Sequence, residues 1–259
     1  MAETGYLAPA GFVDDLKHEL GSAVRATHGR LVIAEGAPRP VAWAANIWHA
    51  PQSLAIASIG DAAKQLRAMQ RNWALYPTAH HRRATLITEK LPKVSAKPLR
   101  FGDPAPSRAY LKLWELFTLT GARPKADDIC VDLGASPGGW TWVLASLGAR
   151  VTAVDKAALA PAVTRLPNVT VLQQSAFALE PHAVGPIDWL FSDVICYPAR
   201  LLALVEKWMK AGTVRRFVCT VKFQGATDFE TARHFAQIPG SRLLHLHHNK
   251  HELTWLKLS

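Results

Sequence analysis

The chain has 259 residues, a formal net charge of +10, 49% hydrophobic residues and only 19% charged ones. This length can bury one large core or two unequal ones, and the composition is that of a soluble globular protein. No apolar run reaches the roughly 20 residues that cross a bilayer, which excludes a membrane span.

The N-terminal stretch MAETGYLAPAGFVDD has no basic region followed by an apolar one, so no secretory signal is expected. Cys130, Cys196 and Cys219 form no C-x-x-C pair and read as buried thiols of a cytoplasmic protein. Residues 1–97 are expected to form a small α+β domain with a basic linker. In it, RLVIAEG and SLAIASI have strand character, and DAAKQLRAMQRNWALY has helical spacing through Ala62, Leu66, Met69 and Trp73. RATLITEKL reads as another short strand. The stretch from Lys90 to Pro106, with prolines at 92, 98, 104 and 106, suits neither helix nor strand and reads as a linker. Between Lys64 and Lys112 stand eleven Lys and Arg against Glu89 and Asp103. Such a block is either an electrostatic footprint for phosphate backbones or a solvated face.

Ser107 is the expected N-cap of a helix over RAYLKLWELFTLTG that stops at Gly121. Strands and helices then alternate. DICVDLG, RVTAVD, NVTVLQ and IDWLFSDV are predicted strands, with helices after the first, second and fourth. RRFVCTVKF is a fifth strand, and TDFETARHFAQI a further helix. RLLHLHH and ELTWLKLS close the chain as two strands around a turn near Asn249. The alternation predicts an α/β fold with a mostly parallel, doubly wound sheet over 98–259 and an antiparallel hairpin at its edge.

The densest signal runs from Ile129 to Lys156: an apolar strand, a glycine loop, a helix and a second strand ending in Asp155. Glycines at 134, 138 and 139 allow a sharp turn and a close backbone approach to a ligand. The loop feeds a helix N-terminus, which favours a carboxylate or phosphate. Neither G-x-G-x-x-G nor a P-loop is present. The pattern D-x-G-x-x-P-G-G-W, from Asp132 to Trp140, instead resembles the first motif of S-adenosylmethionine-dependent methyltransferases of the FtsJ type.

That resemblance extends to APSRAYLKLWE, SDV, VKF and HEL, which look like the four motifs of FtsJ-type ribose 2′-O-methyltransferases, and within them the M-type large-subunit ribosomal RNA group. It covers 98–259 and is faint before. It implies a seven-stranded Rossmann-like methyltransferase domain and a catalytic tetrad of Lys112, Asp193, Lys222 and Glu252. An ordinary lysine, with a pKa of about 10.4, is a weak base unless burial or nearby cations lower it. The tetrad roles implied are Lys222 as base, Asp193 holding it, and Lys112 with Glu252 orienting the hydroxyl and its phosphate. The cofactor implied is S-adenosylmethionine. Ser107 and the Ser136, Pro137, Gly138 and Gly139 turn would surround its methionine part, Gly134 and Trp140 would also belong to the cofactor site, Asp132 would orient the loop or the amino group, and Asp155 would take both ribose hydroxyls. Asp193 borders the same site. Where relatives carry an acid for the adenine amino group, Ser175 stands. The partner implied is RNA, of the 23S ribosomal type, with no membrane, no metal and a monomeric enzyme.

Two other readings are weighed. Base methylation would want [DN]-P-P-[YF] or a nucleophilic cysteine; the chain has SDVICYP, with Cys196 three residues past Asp193. A non-catalytic RNA-binding protein on a methyltransferase scaffold would not need an intact tetrad. His245, His247, His248 and His251 lack the spacing of a metal site.

Overall fold

The computed structural model describes residues 2–69, 74–77, 83–87 and 105–258. The chain divides into two compact units, 1–99 and 100–259.

The first unit holds two small antiparallel sheets. One has the order β2-β3-β1-β4, from β1 (Glu3–Leu7), β2 (Val24–His28), β3 (Leu31–Glu35) and β4 (Asn46–His49). Its centre is the apolar run of β3, buried from Leu31 to Ala34, with α1 (Val13–Leu20) turning Leu16 and Leu20 inward. Glu19 on α1 accepts the amide N–H groups of Ala42 (2.7 Å) and Trp43 (2.9 Å), tying the following loop to the helix. The other sheet has the order β5-β7-β6, from β5 (Gln52–Ala55), β6 (Ala74–Pro77) and β7 (Arg83–Ile87), with α2 (Ile59–Met69) between its first two strands.

This corrects the helix expected to run on to Tyr76, because Ala74–Pro77 is a strand. The residue before a proline is pushed toward extended backbone, and β6 has β7 as its antiparallel neighbour. Strands β1, β2 and β4 carry little apolar alternation and were not predicted. Trp73 and the prolines at 92, 98 and 104 lie outside the described residues.

The second unit is a seven-stranded sheet, in order β10-β9-β8-β11-β12-β14-β13. Strands β8 (Ile129–Leu133), β9 (Arg150–Asp155), β10 (Val169–Gln173), β11 (Ile187–Ser192) and β12 (Val214–Lys222) run parallel to one another. Only β14 (Glu252–Lys257) runs antiparallel, against both β12 and β13 (Ser241–Leu244). The expected terminal hairpin is present at the edge of the sheet, with β14 between β12 and β13. Helices α3 (Tyr110–Thr120), α4 (Gly139–Ser146), α5 (Pro161–Thr164), α6 (Pro198–Ala211) and α7 (Phe229–Gln237) complete the unit.

The core on one side joins Leu113, Leu116 and Phe117 of α3 to Trp140 and Val143 of α4 and to Trp189 and Phe191 of β11. Helix α3 ends at Gly121, left-handed at φ 68°, whose N–H returns to the Phe117 carbonyl at 3.0 Å. Its N-cap is Ala109, without a side-chain cap, so Ser107 is not the cap that was expected. The Ser107 hydroxyl lies instead over Gly139, where a Cβ would sit 2.3 Å from it. Strand β13 stops at Leu244, four residues short of the RLLHLHH reading. The amides of His247 and His248 give their hydrogen bonds to the Glu115 carboxylate of α3, at 2.6 and 3.1 Å, in place of a neighbouring strand.

Candidate functional site

The site grows from the turn after β8. Gly134 (φ 80°) runs against the segment after β11, where a Cβ would lie 2.6 Å from the Val194 Cα. Ser136–Pro137 is a cis peptide, and Gly138 (φ 115°) caps α4, facing Val163. Each glycine of the motif therefore answers to a positive φ or a close approach that a side chain would block.

Above this turn opens a cavity of about 460 Å³. Ser107, Asp132, Gly134, Ser136, Pro137, Gly139, Trp140, Asp155, Asp193 and Lys222 line it, with Val194 and Ile195. A second hollow of about 230 Å³ shares Gly134, Asp155, Val194 and Ile195 and adds Lys156, Ser175, Phe177 and Arg200. The predicted cofactor residues are thus brought together. Ser175 stands in the second hollow, and Gly138 alone lines neither.

Asp132 is fully buried at the end of β8. Its Oδ2 accepts the Thr141 hydroxyl at 2.6 Å, whereas Oδ1 has no hydrogen-bond partner. Burial, reinforced by the charges of Asp193 and Asp155 and opposed by Thr141, pushes this carboxyl up to about 7. Asp155 is pinned by backbone amides, Ser136 N–H to Oδ2 at 3.0 Å and Ala157 N–H to Oδ1 at 2.9 Å. Each oxygen keeps a lone pair for a ligand. The Ser107 Oγ is also buried without a partner. Two orphaned polar atoms beside a helix N-terminus suit a ligand bearing an ammonium and a carboxylate, and the methionine part of S-adenosylmethionine fits them.

At the carboxyl edge of the sheet four charged side chains form one chain of ion pairs. Lys112 of α3 contacts Glu252 at 2.6 Å and Asp193 Oδ1 at 3.2 Å. Lys222 contacts the same Asp193 oxygen at 3.1 Å and also donates to the Asp193 carbonyl. Lys222 and Glu252 are direct cross-strand partners of β12 and β14. Side-chain exposures are 10% for Lys112 and Glu252, 17% for Asp193 and 18% for Lys222, so the charges neutralise one another largely away from water. Lys222 and Asp193 line the cavity, while Lys112 and Glu252 are not part of its lining.

Sequence reasoning missed Thr141, Glu115 and Arg200. Glu115 was findable, since it lies three residues after Lys112 on one helix and so shares its face. His245 is buried, which lowers its pKa, and its Nε2 lies 3.1 Å from the Lys250 carbonyl. His251 meets the Thr227 hydroxyl at 2.8 Å. Among the described residues no group of three or more His, Cys, Asp or Glu could hold a metal ion. No helix there is long and apolar enough to cross a membrane. Burial pushes the Cys196 thiol up, away from the thiolate that a cysteine nucleophile requires.

The family model described as FtsJ-like methyltransferase matches residues 105–234, half of the chain. Curated relatives named Ribosomal RNA large subunit methyltransferase M include the following three. One from Halorhodospira halophila is 33% identical over 203 residues, 75% of this chain and 58% of that protein. One from Aromatoleum aromaticum is 36% identical over 172 residues, covering 60% and 46%. One from Methylococcus capsulatus is 38% identical over 153 residues, covering 57% and 43%. The chain spans about half the length of the curated relatives it matches.

Two outcomes are expected from this geometry. Lys112→Met should lower folding stability by about 3–5 kcal/mol, because it strands a buried Glu252 carboxylate; adding Glu252→Gln should recover more than half. Urea denaturation of the single and double variants checks this, and a double variant no more stable than the single one would count against it. For Asp132, the folded carboxyl titrates at about 7 against an ordinary 3.8. Its stabilising contribution is therefore complete below about pH 4 and lost as the pH rises to about 7, with a slope of at most about 1.4 kcal/mol per pH unit. Asp132→Asn should remove that slope when stability is followed from pH 4 to 8, and an unaltered slope would assign it to other groups.

Proposed function

The chain belongs to the FtsJ-like methyltransferase family, and we propose that it transfers a methyl group from S-adenosylmethionine to a ribose 2′-hydroxyl of RNA, in large-subunit ribosomal RNA of the cytoplasm. The observation that carries this reading is the Lys–Asp–Lys–Glu chain of ion pairs opening onto the cavity of the glycine turn. S-adenosylmethionine supplies an electrophilic methyl group. Ser107, Asp132 and the N-terminus of α4 would hold its amino-acid end, and Asp155 would hold the ribose hydroxyls. Lys222 Nζ, facing the cavity, would first release its ammonium proton to solvent and then, as the neutral amine, take the proton of the target hydroxyl when that oxygen is methylated. Asp193 fixes Lys222 through two contacts. Lys112 contacts Asp193 and is itself paired with Glu252. Alignment supplies most of the rate gain and proton removal the rest. The names of the relatives support ribosomal RNA as substrate.

The first unit, with the basic stretch from Lys64 to Lys112 that begins within it, serves as the RNA-binding part of this reading. Lys64 is exposed on α2, while Arg82 and most of that stretch lie outside the described residues.

Lys222→Ala should abolish methyl transfer while S-adenosylmethionine binding stays within a few-fold of wild type. Nuclease digestion and mass spectrometry of treated RNA separate ribose from base methylation; near-normal turnover would remove Lys222 from the mechanism, and a methylated base would replace the reading. Converting Arg82 and Arg83 to alanine should flatten the slope of log K against log salt for RNA binding by about one to two units, with cofactor affinity unchanged. An unchanged slope would leave the basic stretch as a solvated face.

A further inference from the structure

The second hollow is chemically unlike a pocket built to read an amino group. The Arg200 guanidinium, from the first turn of α6, lies 3.9 Å from the centroid of the Phe177 ring, which anchors it at the wall of the hollow. Lys156 is the other cation there. Asp155 is the only carboxylate among the described lining residues, and the lone pair left on each of its oxygens beside a backbone N–H group is taken by a ribose hydroxyl in the cofactor reading above. The Ser175 hydroxyl accepts the Phe177 N–H at 3.3 Å, which ties it to its own loop. The lining side chains therefore offer mainly hydrogen-bond donors. An adenine presents both kinds of edge, an N6 amino donor and ring-nitrogen acceptors such as N3 and N7. A pocket with a carboxylate would select the first; this one selects the second.

We propose that Arg200 is a specificity-determining residue of the cofactor site, its guanidinium donating to acceptor atoms of the purine ring so that the ring, and not its amino group, is read. This rests on the cofactor reading above. A planar fork of donors suits the adjacent acceptors that a 6-oxopurine offers at O6 and N7. The pocket therefore tolerates replacement of the amino group by an oxygen, a change that a carboxylate in the same place would reject by repulsion.

The test is calorimetric titration of the full chain with S-adenosylhomocysteine and with S-inosylhomocysteine. Wild type should bind the two within about three-fold of each other, and Arg200→Ala should weaken both about ten-fold, the scale of one lost charged hydrogen bond. Arg200→Lys, which keeps the charge and loses the fork, should stay several-fold weaker than wild type. Wild-type protein that binds S-adenosylhomocysteine but rejects the inosyl form by about thirty-fold or more would show that the amino group is read, and overturns the proposal. Unchanged affinity in Arg200→Ala overturns it too, as does a loss confined to RNA binding, which would assign the side chain to a phosphate. Wild-type protein that binds neither compound overturns it together with the cofactor reading, so the two failures are distinguishable.

Discussion

Everything at the carboxyl edge of the sheet depends on the Asp193 carboxylate lying between two lysine ammonium groups. One of its oxygens meets both Lys112 and Lys222, and Lys112 passes the chain on to Glu252. Charges this shielded from water are tolerated only when paired, and removing any member leaves a neighbour uncompensated. The four groups arrive from α3, the end of β11, the end of β12 and the start of β14. Those elements must therefore dock together. The inserted antiparallel strand follows from the same constraint, since β14 between β12 and β13 sets Glu252 directly opposite Lys222. Glu115, one helical turn after Lys112, fixes the preceding loop through the amides of His247 and His248. A single helix thus meets both Glu252 and the segment that delivers it.

A second constraint joins this ion-pair chain to the glycine turn. Gly134 packs against the backbone of Val194, the residue after Asp193, so closely that no side chain fits between them. The turn and the Asp193 segment are therefore in direct backbone contact. Asp132, Asp155 and Asp193 then surround a single cavity, with Lys222 as the cation in its lining. Mutual repulsion adds to burial in holding the Asp132 carboxyl high. A cationic ligand would relieve that repulsion and favour the ionised carboxylate, which couples cofactor charge to the protonation of Asp132.

In the second unit, β8 to β12 and their helices were legible because apolar alternation and glycine or proline punctuation are local properties of a segment. The glycine turn was readable for the same reason: positive φ and close approach leave few residue types possible at 134, 138 and 139. Legibility was poorer in the first unit. There β1, with a glycine in its middle, and β4, with one buried residue in four, gain their strand character from the neighbours they pair with. Ala74–Pro77 was misread because a short apolar run fits both periods, and only β7 decides between them.

For the candidate site, the sequence by itself determined which residue types were available and in what order. It also determined that the loop after β8 had to turn sharply, and that a lysine in the apolar run of β12 needed a partner. The tertiary structure decided the rest: that Lys112 bridges Asp193 and Glu252 outside the cavity lining, that Ser107 covers Gly139 instead of capping α3, and that Arg200 rests on Phe177. Each of these is a contact between segments distant along the chain, or between a side chain and the space that another element leaves for it. Propensity and periodicity act within one element. Distances between elements are set only when the cores pack, the strands choose their neighbours and buried charges find one another.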